Sequence, residues 1–230
     1  MKHLTYLFLF LVLFVGCKDV PKEQSDREFI LDHDKNKVLT TAETIAYKNG
    51  FEAWKEVKQI DFKFNVAREG KTLGGRKWSW KPKRNEVSLL TETDTITFNR
   101  ATLDSITTPY DANFINDKYW LLAPFNLIWD EGTKFSEKEN QIAPISKDTL
   151  NMLTITYSKK GGYTPGDAYD FYYGKDFMIK EWVFRKSNSK EMSMQTTWED
   201  YQTFKGIVIS KSHKDPASNL ELFFTDINVQ

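Results

Sequence analysis

One thiol, three imidazoles and a scatter of carboxylates are the groups in this chain with the chemistry to react or to ligate. Cys17 is the only cysteine, so no intramolecular disulfide can form. It follows Gly16 directly, and a sulfur nucleophile beside a small residue is what acyl transfer and proteolytic cleavage both require. Asp167, Asp170, Glu181, Glu199 and Asp200 include candidates for a glycosidic carboxylate pair, whose separation of about 5 to 9.5 Å no sequence defines. Water-facing strands carry such residues anyway, and that plainer reading prevails. No Gly-x-Ser-x-Gly elbow is present. His33 and His213, with Asp32, Asp34 and Asp215 nearby, would share a metal only if the N-terminal stretch met a distant hairpin; turn composition accounts for both. Gly70-Lys71-Thr72 copies the end of a phosphate-binding loop, but Asn65 occupies the place of its first glycine and no long helix follows, so it reads as a hairpin turn. The expectation is a protein that is not an enzyme, with no cofactor and no metal.

Composition narrows the field further. The 230 residues carry a net charge of +0, which leaves no field to gather nucleic acid, and the aromatic-basic run from Lys77 to Arg84 does not change that. Seven Trp, ten Tyr and seventeen Phe need either a sizeable core or a wide apolar groove.

Met1-Lys2-His3 precedes an apolar run from Leu4 to Val15 that ends at Gly16-Cys17. About a dozen apolar residues are too few to span a bilayer but suit the core of an export signal. Phe14-Val15-Gly16-Cys17 resembles the bacterial lipoprotein signal, with Phe14 where Leu is usual. The resemblance implies a signal peptide over 1–16, acyl chains such as palmitate on Cys17, and lasting membrane attachment. Lys18, in place of an aspartate after the cysteine, favours the outer membrane; periplasmic or surface exposure stays open. Residues 17–39 are polar and read as a lipidated tether.

A single antiparallel β domain is expected over 40–230. Thr40-Thr41-Ala42-Glu43 has the form of a capping box and opens a helix with Ala46, Gly50, Ala53, Trp54 and Val57 on one face. Asn49-Gly50 is its weak point, where a break into two short pieces competes with a continuous helix. From Ile60 the period becomes two: Ile60, Phe62, Phe64 and Val66, then Trp78 and Trp80, Val87 and Leu89, Ile96 and Phe98. Strand patterns return at Leu153, Tyr169, Met178, Met192, Ile207 and Leu220, giving about ten strands, and residues 130–148 read as polar loop. The stretch Phe114 to Trp129, interrupted by Pro124, reads as a short helix or coil laid over a sheet edge or opening. A sheet so large must curl, and its inner face needs cover from the early helix.

This order of elements resembles the LolA/LolB/LppX-like lipoprotein fold: mainly β, a large curled antiparallel sheet forming an incomplete barrel around one or two short N-terminal helices. Asn49-Gly50-Phe51-Glu52-Ala53-Trp54, Phe114 through Phe125, and Tyr169-Asp170-Phe171-Tyr172-Tyr173 also look like a family of Bacteroidota outer-membrane lipoproteins. The resemblance implies a concave, aromatic-lined groove for a lipid, a lipoprotein or another apolar ligand. It carries over Trp54 on the helix, and Trp120, Leu121 and Phe125 as a lid. Trp129 in the crossover and Tyr169, Phe171 and Trp182 on the later strands join them as candidate ligand-binding residues. The alternatives are a partner-docking envelope lipoprotein with no ligand cavity, and a hydrolase using paired carboxylates. Nothing in the sequence addresses oligomeric state.

Overall fold

Alternation of apolar and polar residues builds the strands, and burial follows it. Along β1 (Ile60–Arg68), Ile60, Phe62 and Phe64 are buried while Asp61 and Lys63 are half-buried. The alternation breaks at Asn65, which is buried like Phe64, so that Ala67 and not Val66 takes the next buried place. The computed structural model describes residues 37–230. The export signal, Cys17, His33 and most of the tether lie outside the described residues.

Strands are numbered in chain order. One antiparallel sheet runs β10 (Glu199–Phe204), β11 (Ile207–Asp215), β12 (Leu220–Val229), β1, β2 (Lys71–Lys81), β3 (Glu86–Leu90) and β4 (Thr95–Asn99). The other runs β5 (Lys134–Ile142), β6 (Thr149–Thr156), β7 (Ala168–Tyr173), β8 (Ile179–Arg185) and β9 (Met194–Thr197). β9 passes through Trp198 straight into β10, so one continuous segment turns the corner between the sheets. Lys214 on β11 secures that corner, its amide donating to Thr197 Oγ1 at 3.1 Å. Strands β4 and β5 stay as free edges, and the barrel is incomplete.

Two strands exceed the sequence expectation. β5 lies in the stretch read as loop, and β10 follows β9 without a turn. β5 is exposed along almost its whole length, its two apolar residues Phe135 and Ile142 included, so no alternation marks it.

The first helix matches its reading in detail. In α1 (Thr41–Lys48) the Thr40 side chain accepts from the Glu43 amide while Glu43 accepts from the Thr40 amide. It ends at Asn49-Gly50, and residues Phe51–Glu56 continue as a 3₁₀ segment, the broken form of the two weighed. Gly50 has φ +85°, and a Cβ there would lie 1.9 Å from the Gly206 carbonyl oxygen in the β10–β11 turn.

The larger correction concerns α2 (Thr108–Trp129), which joins the free edges β4 and β5. Read as a short covering element, it is a 22-residue helix and the main body inside the curled sheets. Pro124 lacks the amide that would donate to Trp120, and Leu122 bends out of helical geometry at φ −131°, ψ 26°. Asp117, fully buried, ties α2 to β2: it accepts from Arg76 Nε at 2.7 Å, Arg76 Nη2 at 2.6 Å and Trp78 Nε1 at 2.8 Å. About one turn further on, Trp120 packs against Trp182 of β8 and His213 of β11, with ring centroids 4.6 and 5.3 Å away. From Asp117 to Leu127 every residue but the half-buried Tyr119 is buried, and a helix half sealed on every side has no polar stripe to give an amphipathic signature.

Candidate functional site

Aromatic side chains from four elements converge at one end of α2. Trp54 of the 3₁₀ segment, Trp80 of β2 and Trp129 at the end of α2 pack mutually, with centroids 5.2 Å apart for Trp54 and Trp80, 5.0 Å for Trp54 and Trp129, and 6.4 Å for Trp80 and Trp129. Tyr169 of β7 stands across from them, its ring tilted against Tyr119 at 5.1 Å. Between these walls lies a cavity of about 850 Å³, within the usual range for small-molecule sites. The β6–β7 loop overhangs it with Gly161, Gly162 and Tyr163. Glycine at positive φ lets that loop double back without strain.

The polar part of the cavity is built around an ordered chain of hydrogen bonds. Tyr157 donates its hydroxyl to Asp130 Oδ2 at 2.5 Å, and Asn126 Nδ2 donates to the same oxygen at 3.0 Å. Lys118 Nζ donates to Asn126 Oδ1 at 3.3 Å and sits 5.1 Å from the centre of the Trp129 ring. Lys118 is only 6% exposed, and burial pulls its ammonium down to about 8, opposed by Asp130 and assisted by Arg100. At the mouth Tyr163 donates to Asp111 Oδ2 at 2.6 Å, and Arg100 Nε donates to Asp111 Oδ1 at 2.6 Å. The Tyr163 hydroxyl is pushed up to about 12 by burial and then by its bond to Asp111.

Of the candidate ligand-binding residues, Trp54, Trp129 and Tyr169 line this cavity. The others do not. Trp120, Leu121, Phe125, Phe171 and Trp182 are all at most 6% exposed and belong to the packed core. The crossover therefore supplies a central helix and not a lid; the segment over the cavity is the β6–β7 loop. Lys118, Asn126, Asp130 and Tyr157 escaped the sequence reading. Their one signal was Lys118 inside the largely apolar run from Phe114 to Trp129, to which the sequence reading gave no role.

The carboxylates raised as catalytic candidates each have a structural partner. Asp170 accepts from both Nε and Nη2 of Arg185, and from Thr154 Oγ1. Glu181 accepts the amides of Ile145 and Ser146, each at 2.7 Å. Glu199 pairs with Lys214, Asp200 with Lys211, and Asp167 accepts the Ser187 amide. None of the five lines the cavity. His213, read as a turn residue, is instead a fully buried β11 residue between Trp120 and Trp198. Among the described residues no cluster of three or more His, Cys, Asp or Glu forms. Among them, too, no helix is long and apolar enough to cross a membrane.

The described residues thus define a mainly β protein of two antiparallel sheets in an incomplete barrel, with helices inside and a partly aromatic cavity at one end. Among solved structures the chain is similar to a LolA superfamily protein from Nitrosomonas europaea, at 12% identity and a TM-score of 0.45, covering 84% of this chain and 94% of that one. A DUF1329 family protein from Desulfovibrio piger gives 9% identity and a TM-score of 0.45 over 83% of this chain and 92% of that one. The lipoprotein LppX of Mycobacterium tuberculosis gives 8% identity and a TM-score of 0.29 over 82% and 94%. No protein-family model and no curated protein matches the chain.

Proposed function

We propose that this chain is a lipid-anchored protein of the outer membrane whose single β domain, from about residue 40 onward, binds a lipid or other apolar ligand without changing it chemically. The observation that carries the binding half is the cavity between Trp54, Trp80, Trp129 and Tyr169. Apolar area removed from water there contributes about 25 cal/mol per Å², so a medium-length acyl chain gains useful affinity with few polar contacts. The anchoring half rests on Phe14-Val15-Gly16-Cys17 and on the apolar run before it. The finer likeness to Bacteroidota outer-membrane lipoproteins belongs to the same reading.

Native mass spectrometry of protein purified without added lipid, followed by uptake of a fluorescent fatty acid, tests it. Copurified lipid or saturable uptake is expected. A chain that carries nothing and takes up nothing defeats the reading. Trp129→Ala should weaken uptake at least as much as it lowers stability. Trp120→Ala, remote from the cavity lining, should mainly destabilise, by about 3 to 5 kcal/mol. Mass spectrometry of Cys17 in membrane extracts checks the anchor separately.

A further inference from the structure

A buried ammonium is an unusual thing to place on the wall of a partly aromatic cavity. Lys118 has three hydrogens to donate, and within the described residues its one hydrogen bond is the long contact of 3.3 Å to Asn126 Oδ1. Among the described residues no carboxylate stands within ion-pair distance of its Nζ. Asp130 is nearby, but its Oδ2 is taken up by Tyr157 and Asn126. Asp111 is engaged by Arg100 and Tyr163. The remaining face of the ammonium has the Trp129 ring, which attracts a cation but accepts no conventional hydrogen bond. On the same wall the Tyr119 hydroxyl is buried, with the Trp182 indole as its polar neighbour. Charge buried this way is costly unless it is paired, and the side able to supply a pair is the cavity.

We infer that the cavity takes a ligand with an acidic head, a fatty-acid carboxylate docked on Lys118 with its chain lying against Trp54, Trp80 and Trp129. The inference rests on the proposed binding of an apolar ligand and adds the head-group class. A carboxylate meeting the ammonium forms a charge-assisted hydrogen bond, stronger than the neutral bond an alcohol or ester would make in the same place. The carboxylate then satisfies the lysine at the moment it loses its own water.

Laurate, dodecanol and methyl laurate share a chain and differ at the head, so they separate the two layers of the argument. Titrations of the full folded domain at pH 7 should show laurate bound at least tenfold more tightly than the other two. In Lys118→Met, a substitution of similar length that removes the buried charge, laurate should lose that advantage while dodecanol still binds. Trp fluorescence on the same samples confirms that the variant is folded, and Lys118→Arg, which keeps the charge, should retain a preference for laurate if it folds. Equal affinity for all three probes in the wild-type protein, or a laurate preference that survives Lys118→Met, overturns the acidic-head inference and leaves apolar binding standing. Failure of all three to bind removes the binding reading itself.

Discussion

Gly50 and Gly206 meet back to back: a Cβ on Gly50 would lie 1.9 Å from the Gly206 carbonyl oxygen, and one on Gly206 would lie 2.9 Å from Ala53 Cβ. The break after α1 is therefore a docking point for the β10–β11 turn, reinforced by Val208 donating its amide to the Asn49 carbonyl at 3.0 Å.

Gly50→Ala should destabilise the protein by more than about 1 kcal/mol, because a left-handed φ and a backbone clash act together. Gly70→Ala makes the control. It shares the positive φ but has nothing within 4 Å of a Cβ, so its loss in a urea titration should be the smaller.

Asp117 holds three donors from β2 without any exposure of its own. Asp117→Asn should lower stability by about 2 to 3 kcal/mol, short of the full cost of breaking a buried pair because Arg76 is partly exposed and can recover water. An Arg76→Met, Asp117→Asn double-mutant cycle in guanidinium measures the coupling. Additive losses would mean that the pair does not couple α2 to the sheet.

Lys118 links stability and ligand affinity to pH. Burial lowers its folded value from 10.5 to about 8, so the protein bears the full cost of the buried charge below about pH 8 and sheds it as pH rises towards 10.5. Asp130 and Asp111 favour the charged form, Arg100 opposes it, and the adjoining Tyr119 and Tyr157 hydroxyls stay neutral throughout. Lys118→Met should thus be more stable than wild type at pH 7, with the gain fading by pH 10.5, in denaturation curves taken at both. Laurate affinity should fall as pH climbs above about 8, since the ammonium it needs deprotonates, while dodecanol affinity stays level.

His213 makes the opposite end of the pH range sensitive. Burial holds its ring down to about 3, and the backbone of Thr197 and Trp120 offsets that only in part. The folded ring is neutral while the unfolded one gains a proton below about 6.5, so stability present above that pH drains away as pH falls towards 3, by at most about 1.4 kcal/mol per unit. The rings of Trp120, Trp198 and Phe224 packed on it carry no charge to compensate. His213→Phe should flatten the decline between pH 6 and pH 4 in urea midpoints; an unchanged slope would place the acid sensitivity elsewhere.

Local patterns in the chain determined much of the architecture: the capping box at Thr40 and Glu43, the break at Asn49-Gly50, the hairpin at Gly70 and the alternation along β1 are each set by residues close in sequence. Strand β5 left no trace because an exposed edge buries neither face, and α2 concealed its length because Pro124 interrupts it and its second half, buried on nearly every side, erases the helical period. Only the tertiary structure decided which aromatics border space and which fill it. Trp120 and Trp129 are alike in type and share one helix, yet the first is sealed between two sheets and the second faces a cavity, since burial depends on what the distant strands bring opposite. The same holds for Lys118: its chemistry comes from being largely buried beside a cavity, a property that belongs to the packed molecule and not to the residue.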